Sequence, residues 1–178
     1  MARAASRDTD LFCEFVALRS AALFRVAYLL VGDHHLAQDL LQESLAKTYV
    51  AWPKLREVGN AEAYTRRVLV TTTISWRRRR SFHERPLEWV PEPAGVDPYS
   101  ALALHDALWV LLQQLPARQR AAIVLRHYQD LSEAQTAEAM GCSVGTVKSS
   151  VSAGLKRLRQ HVGPDLEPIP SEDQVVTS

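Results

Sequence analysis

Apolar residues Phe12, Phe15, Val16, Leu23, Val26, Ala27 and Leu30 recur at the spacing of one helix face until Gly32 interrupts them, which predicts a first helix ending there. Asp33 stands where it can cap a second helix, DHHLAQDLLQESLAKTYVAW, in which Ala37, Leu40, Leu41, Ser44, Leu45 and Thr48 make one stripe. At about 100° per residue, Asp39, Gln42 and Glu43 fall together on the opposite face. Asn60 is placed to cap a third segment, AEAYTRRVLVTTTISWRRRR. Its VLVTTTI run is β-branched enough to form a strand on propensity alone. The length and the absence of Gly and Pro from Ala61 to Arg80 argue for a helix, and periodicity does not settle the choice.

Beyond residue 100 the pattern is helical throughout. ALALHDALWVLLQQL stops before Pro116, and ARQRAAIVLRHYQ follows with that proline near its first turn. Ser132 with Gln135 three residues later is a capping-box signature for a helix from Glu133 to Met140, and Gly141 is placed to end it in the left-handed conformation. Ser143 then offers the cap for a last helix from Val144 to about Gln160. On it Val144, Val147, Val151, Leu155 and Leu158 share the packing side, while Gly145, Thr146, Ser149, Ser152, Ala153 and Lys156 lie around the other. Small and hydroxylated residues add little helix propensity, so that side leaves room for something to approach.

Composition shifts at Arg85, where basic sequence gives way to PLEWVPEPAGVDPYS, a proline-rich acidic linker. After Gly163 the tail is acidic, proline-bearing and without Lys or Arg, a composition that favours disorder. The chain therefore divides into an N-terminal tail at residues 1–10, a helical domain at 11–82, a flexible linker at 83–100, a second helical domain at 101–162 and a disordered acidic tail at 163–178. The expected class is all-α, two small helical domains with the second a helix-turn-helix. With 178 residues, 47% of them hydrophobic, the chain has enough apolar side chain for such cores.

A net charge of +1 makes no global case for nucleic acid, so the distribution of charge carries the information. WRRRR at Trp76, Arg77, Arg78, Arg79 and Arg80, with Arg66 and Arg67 a few turns before, concentrates positive charge that can release counterions from phosphates. Tyr64 and Trp76 are placed to stack on unpaired bases, although Trp76 is equally suited to the core. A capped helix, a glycine turn and a helix with a polar N-terminal side form the helix-turn-helix pattern, whose second helix enters the major groove; a plain helical hairpin is its alternative. Asp39 and Glu43 lack any partner that would separate their pKa values for acid–base work, so a solvated face or a protein-docking patch are the readings left. Cys13 and Cys142 stand far apart without zinc or disulfide spacing, and the histidines have no metal-ligand pattern. No catalytic motif, metal site or cofactor loop is present, and neither the short polar MARAASRDTD nor any apolar run suggests a signal peptide or a membrane span. A cytoplasmic protein is expected.

Taken in order, these motifs resemble the bacterial RNA polymerase sigma factors of the two-domain, extracytoplasmic-function type, over nearly the whole stretch from Leu11 to Leu158. DLLQES at 39–44 is similar to the family's core-polymerase-binding helix, which implies that Asp39, Leu40, Gln42 and Glu43 contact the largest polymerase subunits. EAYTRRVLVTTTISWRRRR resembles the helix that melts the downstream promoter element and captures its non-template strand, and it is this resemblance that makes the segment helical. It implies DNA-binding roles for Tyr64, Arg66, Arg67, Thr71, Trp76 and the arginines at 77–80. The loop at 54–60, preceded by Pro53, is where relatives hold a flipped base.

LPARQRAAIVLRHYQDLSEAQTAEAMGCSVGTVKSSVSAGLKRLR resembles the domain that holds the upstream element, which implies contacts from Ser143, Thr146, Lys148, Ser149, Ser152, Lys156 and Arg157. The implied partners are core RNA polymerase and promoter DNA, with an anti-sigma protein as a further partner open to this family, and no membrane. Val70 and Thr71 stand where many relatives have Arg-Asn, Ser75 where Asp is frequent, and Ser150 and Ala153 where arginines are frequent. The last two departures remove contacts to guanine or phosphate. An ordinary helix-turn-helix regulator and a protein-only scaffold remain the rival readings; the first predicts duplex binding without polymerase, the second no DNA dependence.

Overall fold

The computed structural model describes residues 2–55, 58–83 and 109–161. Residues 84–100 of the expected linker and the tail at 163–178 lie outside them. Among the described residues there is no strand. The helices are α1 (Ala2–Val31), α2 (His34–Leu55), α3 (Val58–His83), α4 (109–113), α5 (Ala117–Ile123), α6 (Glu133–Met140) and α7 (Val144–His161).

α1, α2 and α3 pack pairwise on one another as an N-terminal bundle. α1 begins well inside the stretch expected as a tail, and stops at Gly32, whose φ of 81° turns the chain. Asp33 Oδ1 then accepts from Leu36 N at 2.7 Å, the expected cap of α2. Ala37, Leu40, Ser44 and Thr48 are buried, and an aromatic cluster closes the far end, where Trp52 meets Phe12 at 5.1 Å and Phe15 at 5.5 Å between ring centroids.

α3 is a helix despite its β-branched run, because its threonines answer their own polarity locally. Thr65 and Thr73 donate to the carbonyls four residues earlier at 2.7 and 2.8 Å. Thr48 does the same on α2, and its hydroxyl meets that of Thr65 at 2.9 Å across the α2–α3 contact. Buried hydroxyls are thus satisfied while the methyl groups pack. Asn60 does not cap this helix, since α3 starts at Val58, and the loop expected at 54–60 is taken up by α2 through Leu55, with Pro53 inside its last turn.

The second bundle joins α5, α6 and α7. α5 does not run on as a regular helix; Val124–Tyr128 forms a π turn in which Gln129 N donates to Val124 O at 3.0 Å. Ser132 Oγ and Gln135 complete the reciprocal capping box of α6. Gly141, at φ 61°, ends it in a Schellman motif, with Cys142 N on Ala137 O at 3.0 Å and Gly141 N on Glu138 O at 3.2 Å.

The two bundles also touch each other, α3 against α5 and α6 and α1 against α5. The contact is specific. Tyr28 of α1 stacks on Trp109 at 5.9 Å. The last carbonyls of α1, which have no partner within their own helix, accept from the far side: Leu29 O from Gln113 Nε2 at 3.3 Å and Leu30 O from Arg120 Nη1 at 2.7 Å. Arg120 is fully buried, and its guanidinium also donates to Gln113 O, Leu115 O and the Gln113 side-chain oxygen. One cluster of buried apolar residues, from Phe15 and Leu30 to Leu125 and Val147, spans both bundles.

Candidate functional site

On α2 the stripe that faces the core leaves Asp39 and Gln42 exposed and Glu43 half-exposed on the outer side. Leu40, expected among the partner-contacting residues, is 0% exposed. An apolar side chain at that step of the helix belongs to the inward stripe, and in this fold it braces the face from within. Glu43 is tied to Lys47 one turn later at 2.6 Å.

α3 carries the second group. Arg67 is exposed, and Tyr64, Thr71 and Trp76 are half-buried. Arg66, expected among the DNA-contacting residues, is 14% exposed at its side chain and bound to Glu62 at 2.9 Å, and the same carboxylate holds Arg19 of α1 at 3.2 Å. That ion pair fastens α3 to α1 and leaves little of the guanidinium to meet a phosphate. Val70, which departs from the family pattern, is fully buried. The backbone of α3 continues helically through the arginine run, but the side chains of Arg77, Arg78, Arg79 and Arg80 lie outside the described residues. Between α2 and α3 lies a polar groove of about 190 Å³ lined by Glu43, Lys47, Thr71, Thr72, Ser75 and Trp76. Lys47 and Ser75 were not singled out as binding residues from sequence; for Lys47 the available signal was its position one helical turn after Glu43.

The third group is on α7. Ser143 Oγ accepts from Thr146 N at 3.2 Å and meets Thr146 Oγ1 at 2.9 Å, and Ser149 Oγ donates to Thr146 O at 3.0 Å. Hydroxyls therefore wind around the start of the helix, each able to redirect its proton toward an incoming acceptor. Lys148, Ser149, Ser152, Lys156 and Arg157 are exposed, and Ser150 and Ala153 half-buried. Val147 is fully buried against the preceding helices, whereas Val144, expected on the packing side, is 39% exposed because it opens the first turn before α7 meets its neighbours. Lys148 also reaches Glu133 at 3.4 Å beside a recess of about 360 Å³ that Arg126 and Arg159 border.

Two separate family models cover these groups: the sigma-70 region 2 model matches residues 16–83, and the sigma-70 region 4 model matches residues 105–158. The RNA polymerase sigma-E factor of Streptomyces coelicolor is 42% identical over 88% of this chain and 89% of its own length. The chain belongs to the bacterial RNA polymerase sigma factors of the extracytoplasmic-function type. An extracytoplasmic-function sigma factor of Mycobacterium tuberculosis, SigL, is 31% identical over 79% of this chain and 82% of its own length. Among solved structures, the sigma factor RpoE of Bartonella quintana, in complex with the anti-sigma factor NepR, superposes with a TM-score of 0.65 at 27% identity, covering 87% of this chain and 98% of that one. CnrH, in complex with the cytosolic domain of CnrY, shares the fold with a TM-score of 0.63 at 20% identity, covering 93% of this chain and 96% of that one.

As a sigma factor the protein binds core RNA polymerase, recognises promoter DNA and supports initiation of transcription, which removes the free-standing regulator and the protein-only scaffold as readings. No helix among the described residues is long and apolar enough to cross a membrane. Those residues contain no cluster of three or more His, Cys, Asp and Glu side chains able to hold a metal ion.

Proposed function

We propose that the three groups divide the work of a sigma factor among them. Asp39, Gln42 and Glu43 dock on the largest subunits of core polymerase. Arg67, Tyr64, Thr71, Trp76 and the arginines of 77–80 hold the melted downstream element. The outer side of α7, together with its cap Ser143 and reaching to Arg157, reads the upstream element in the major groove. Melting asks for no covalent chemistry, only capture of unstacked bases at a cost of about a few kcal/mol, so the chain acts as a subunit and not as an enzyme, in the cytoplasm where polymerase works. Two moderate contacts joined on one polymerase gain effective concentration, so neither has to be tight alone.

The observation that carries this reading is the orientation of α2: its apolar stripe is consumed by the core, and the acidic and amide side chains are presented outward on a rigid helix that two neighbours brace. An anti-sigma protein, as found on the Bartonella relative, is a further partner in this reading. The test is reconstitution. Core polymerase with the wild-type chain should start transcripts at defined sites in a promoter library. Asp39→Ala combined with Glu43→Ala should abolish polymerase binding while leaving thermal unfolding in place, and undiminished binding by that variant would refute the assignment.

A further inference from the structure

The polar groove between α2 and α3 shares one residue, Glu43, with the docking face. Lys47 Nζ lies 2.6 Å from Glu43 Oε1 and 3.4 Å from Thr72 Oγ1, so the ammonium stands between the docking face and the groove wall. Thr72 is 6% exposed and forms the floor; Ser75 and Trp76 form the rim, on the helix that carries the strand-capturing residues. A lysine with hydroxyls beside it and an indole at the edge suits a phosphodiester next to a stacked base. In the free protein Glu43 offsets that charge. Once a polymerase cation takes the Glu43 carboxylate, the ammonium is left with a hydroxyl on one side and an open groove on the other.

We propose that this groove seats one backbone phosphate of the unpaired promoter strand, with Lys47 as its ligand and Glu43 as the group that withholds Lys47 until polymerase docks. The proposal rests on the docking role given to Glu43 above. Its consequence is coupling: docking strengthens strand capture, and by linkage strand capture strengthens docking by the same factor. The Glu43–Lys47 pair is exposed, with side chains 39% and 49% accessible, and spans one helical turn, so the factor is of the size such pairs supply, roughly twofold.

The test uses holoenzyme reconstituted from core polymerase and the full chain, on fork-junction DNA bearing a promoter that the holoenzyme selects from a library. Lys47→Met should flatten the dependence of log affinity on log salt by about 0.7, one single-strand phosphate. A series of single neutral methylphosphonates along the non-template strand should contain one position that weakens wild type but not Lys47→Met. Lys47→Arg should restore both behaviours, and unchanged thermal midpoints exclude misfolding. The gain in polymerase affinity on adding fork DNA should be roughly twofold smaller for Lys47→Met than for wild type. Wild-type binding with Lys47→Met showing the same salt slope, or with every methylphosphonate affecting the two proteins alike, overturns the phosphate seat. Equal gains for both proteins overturn the coupling. Failure of wild-type holoenzyme to bind any fork DNA overturns the functional reading itself, a distinguishable result.

Discussion

Arg120→Ala removes a guanidinium that is fully buried and donates to Leu30 O at 2.7 Å, Gln113 O at 2.9 Å and Leu115 O at 3.0 Å, besides the Gln113 side chain. Alanine leaves three backbone acceptors without that donor, each costing about 1–3 kcal/mol where water cannot replace it. The void admits some water, and the desolvation of the guanidinium no longer has to be met, so the net falls toward the lower end of the sum, at about 3–5 kcal/mol. For a chain of 178 residues that corresponds to a fall in thermal midpoint of roughly 10 °C. Urea unfolding followed by far-UV circular dichroism measures it. Arg120→Lys keeps the charge but presents one nitrogen where two now serve separate carbonyls, and should recover less than half of the loss. Because one of the carbonyls belongs to α1, amide exchange near Leu30 should rise in both variants. A loss under about 1 kcal/mol for Arg120→Ala would refute the account of Arg120 as the tie between the bundles.

Two glycines separate strain from contact. Gly141→Ala places a side chain at φ 61° with nothing within 4 Å, and should cost only the left-handed penalty of about 1–2 kcal/mol. Gly32→Ala meets the same penalty at φ 81° and also drives its methyl into the Gln113 side-chain amide, so its thermal midpoint should fall clearly further; equal losses would show that the contact with Gln113 is not maintained in solution. On α7, Lys156 is exposed, and Lys156→Ala should reduce the salt slope of holoenzyme binding to upstream duplex by about 0.9 without altering which sequences are preferred.

Much of the local structure could be read in advance, because caps and turns are contracts between residues close in the chain. Asp33, the Ser132–Gln135 box, Gly141 and Ser143 all act where their spacing put them. The stripes of α2 and α7 were legible for the same reason, apart from Val144, which opens the first turn of α7 and stays 39% exposed. α3 was harder: its propensity pointed toward a strand, and only the back-bonding of Thr65 and Thr73, together with the hydroxyl pair across to Thr48, shows why a helix is satisfied there. Glu62 stands four residues before Arg66, a helical pairing legible in the sequence; what was not legible is that Arg19 of α1 shares the same carboxylate.

The amino-acid order alone settled the caps, most of the helices and the family, since periodicity, capping and motif spacing are properties of neighbours in sequence. Folding in three dimensions decided which charges are available. It set Arg19 of α1 on the Glu62 carboxylate that also holds Arg66, buried Arg120 across the contact between bundles, and brought Lys47 beside Thr72 of α3. Those outcomes depend on which side chains from distant parts of the chain arrive at the same place, and electrostatic partnership acts through space, over distances that helical spacing along one segment does not encode.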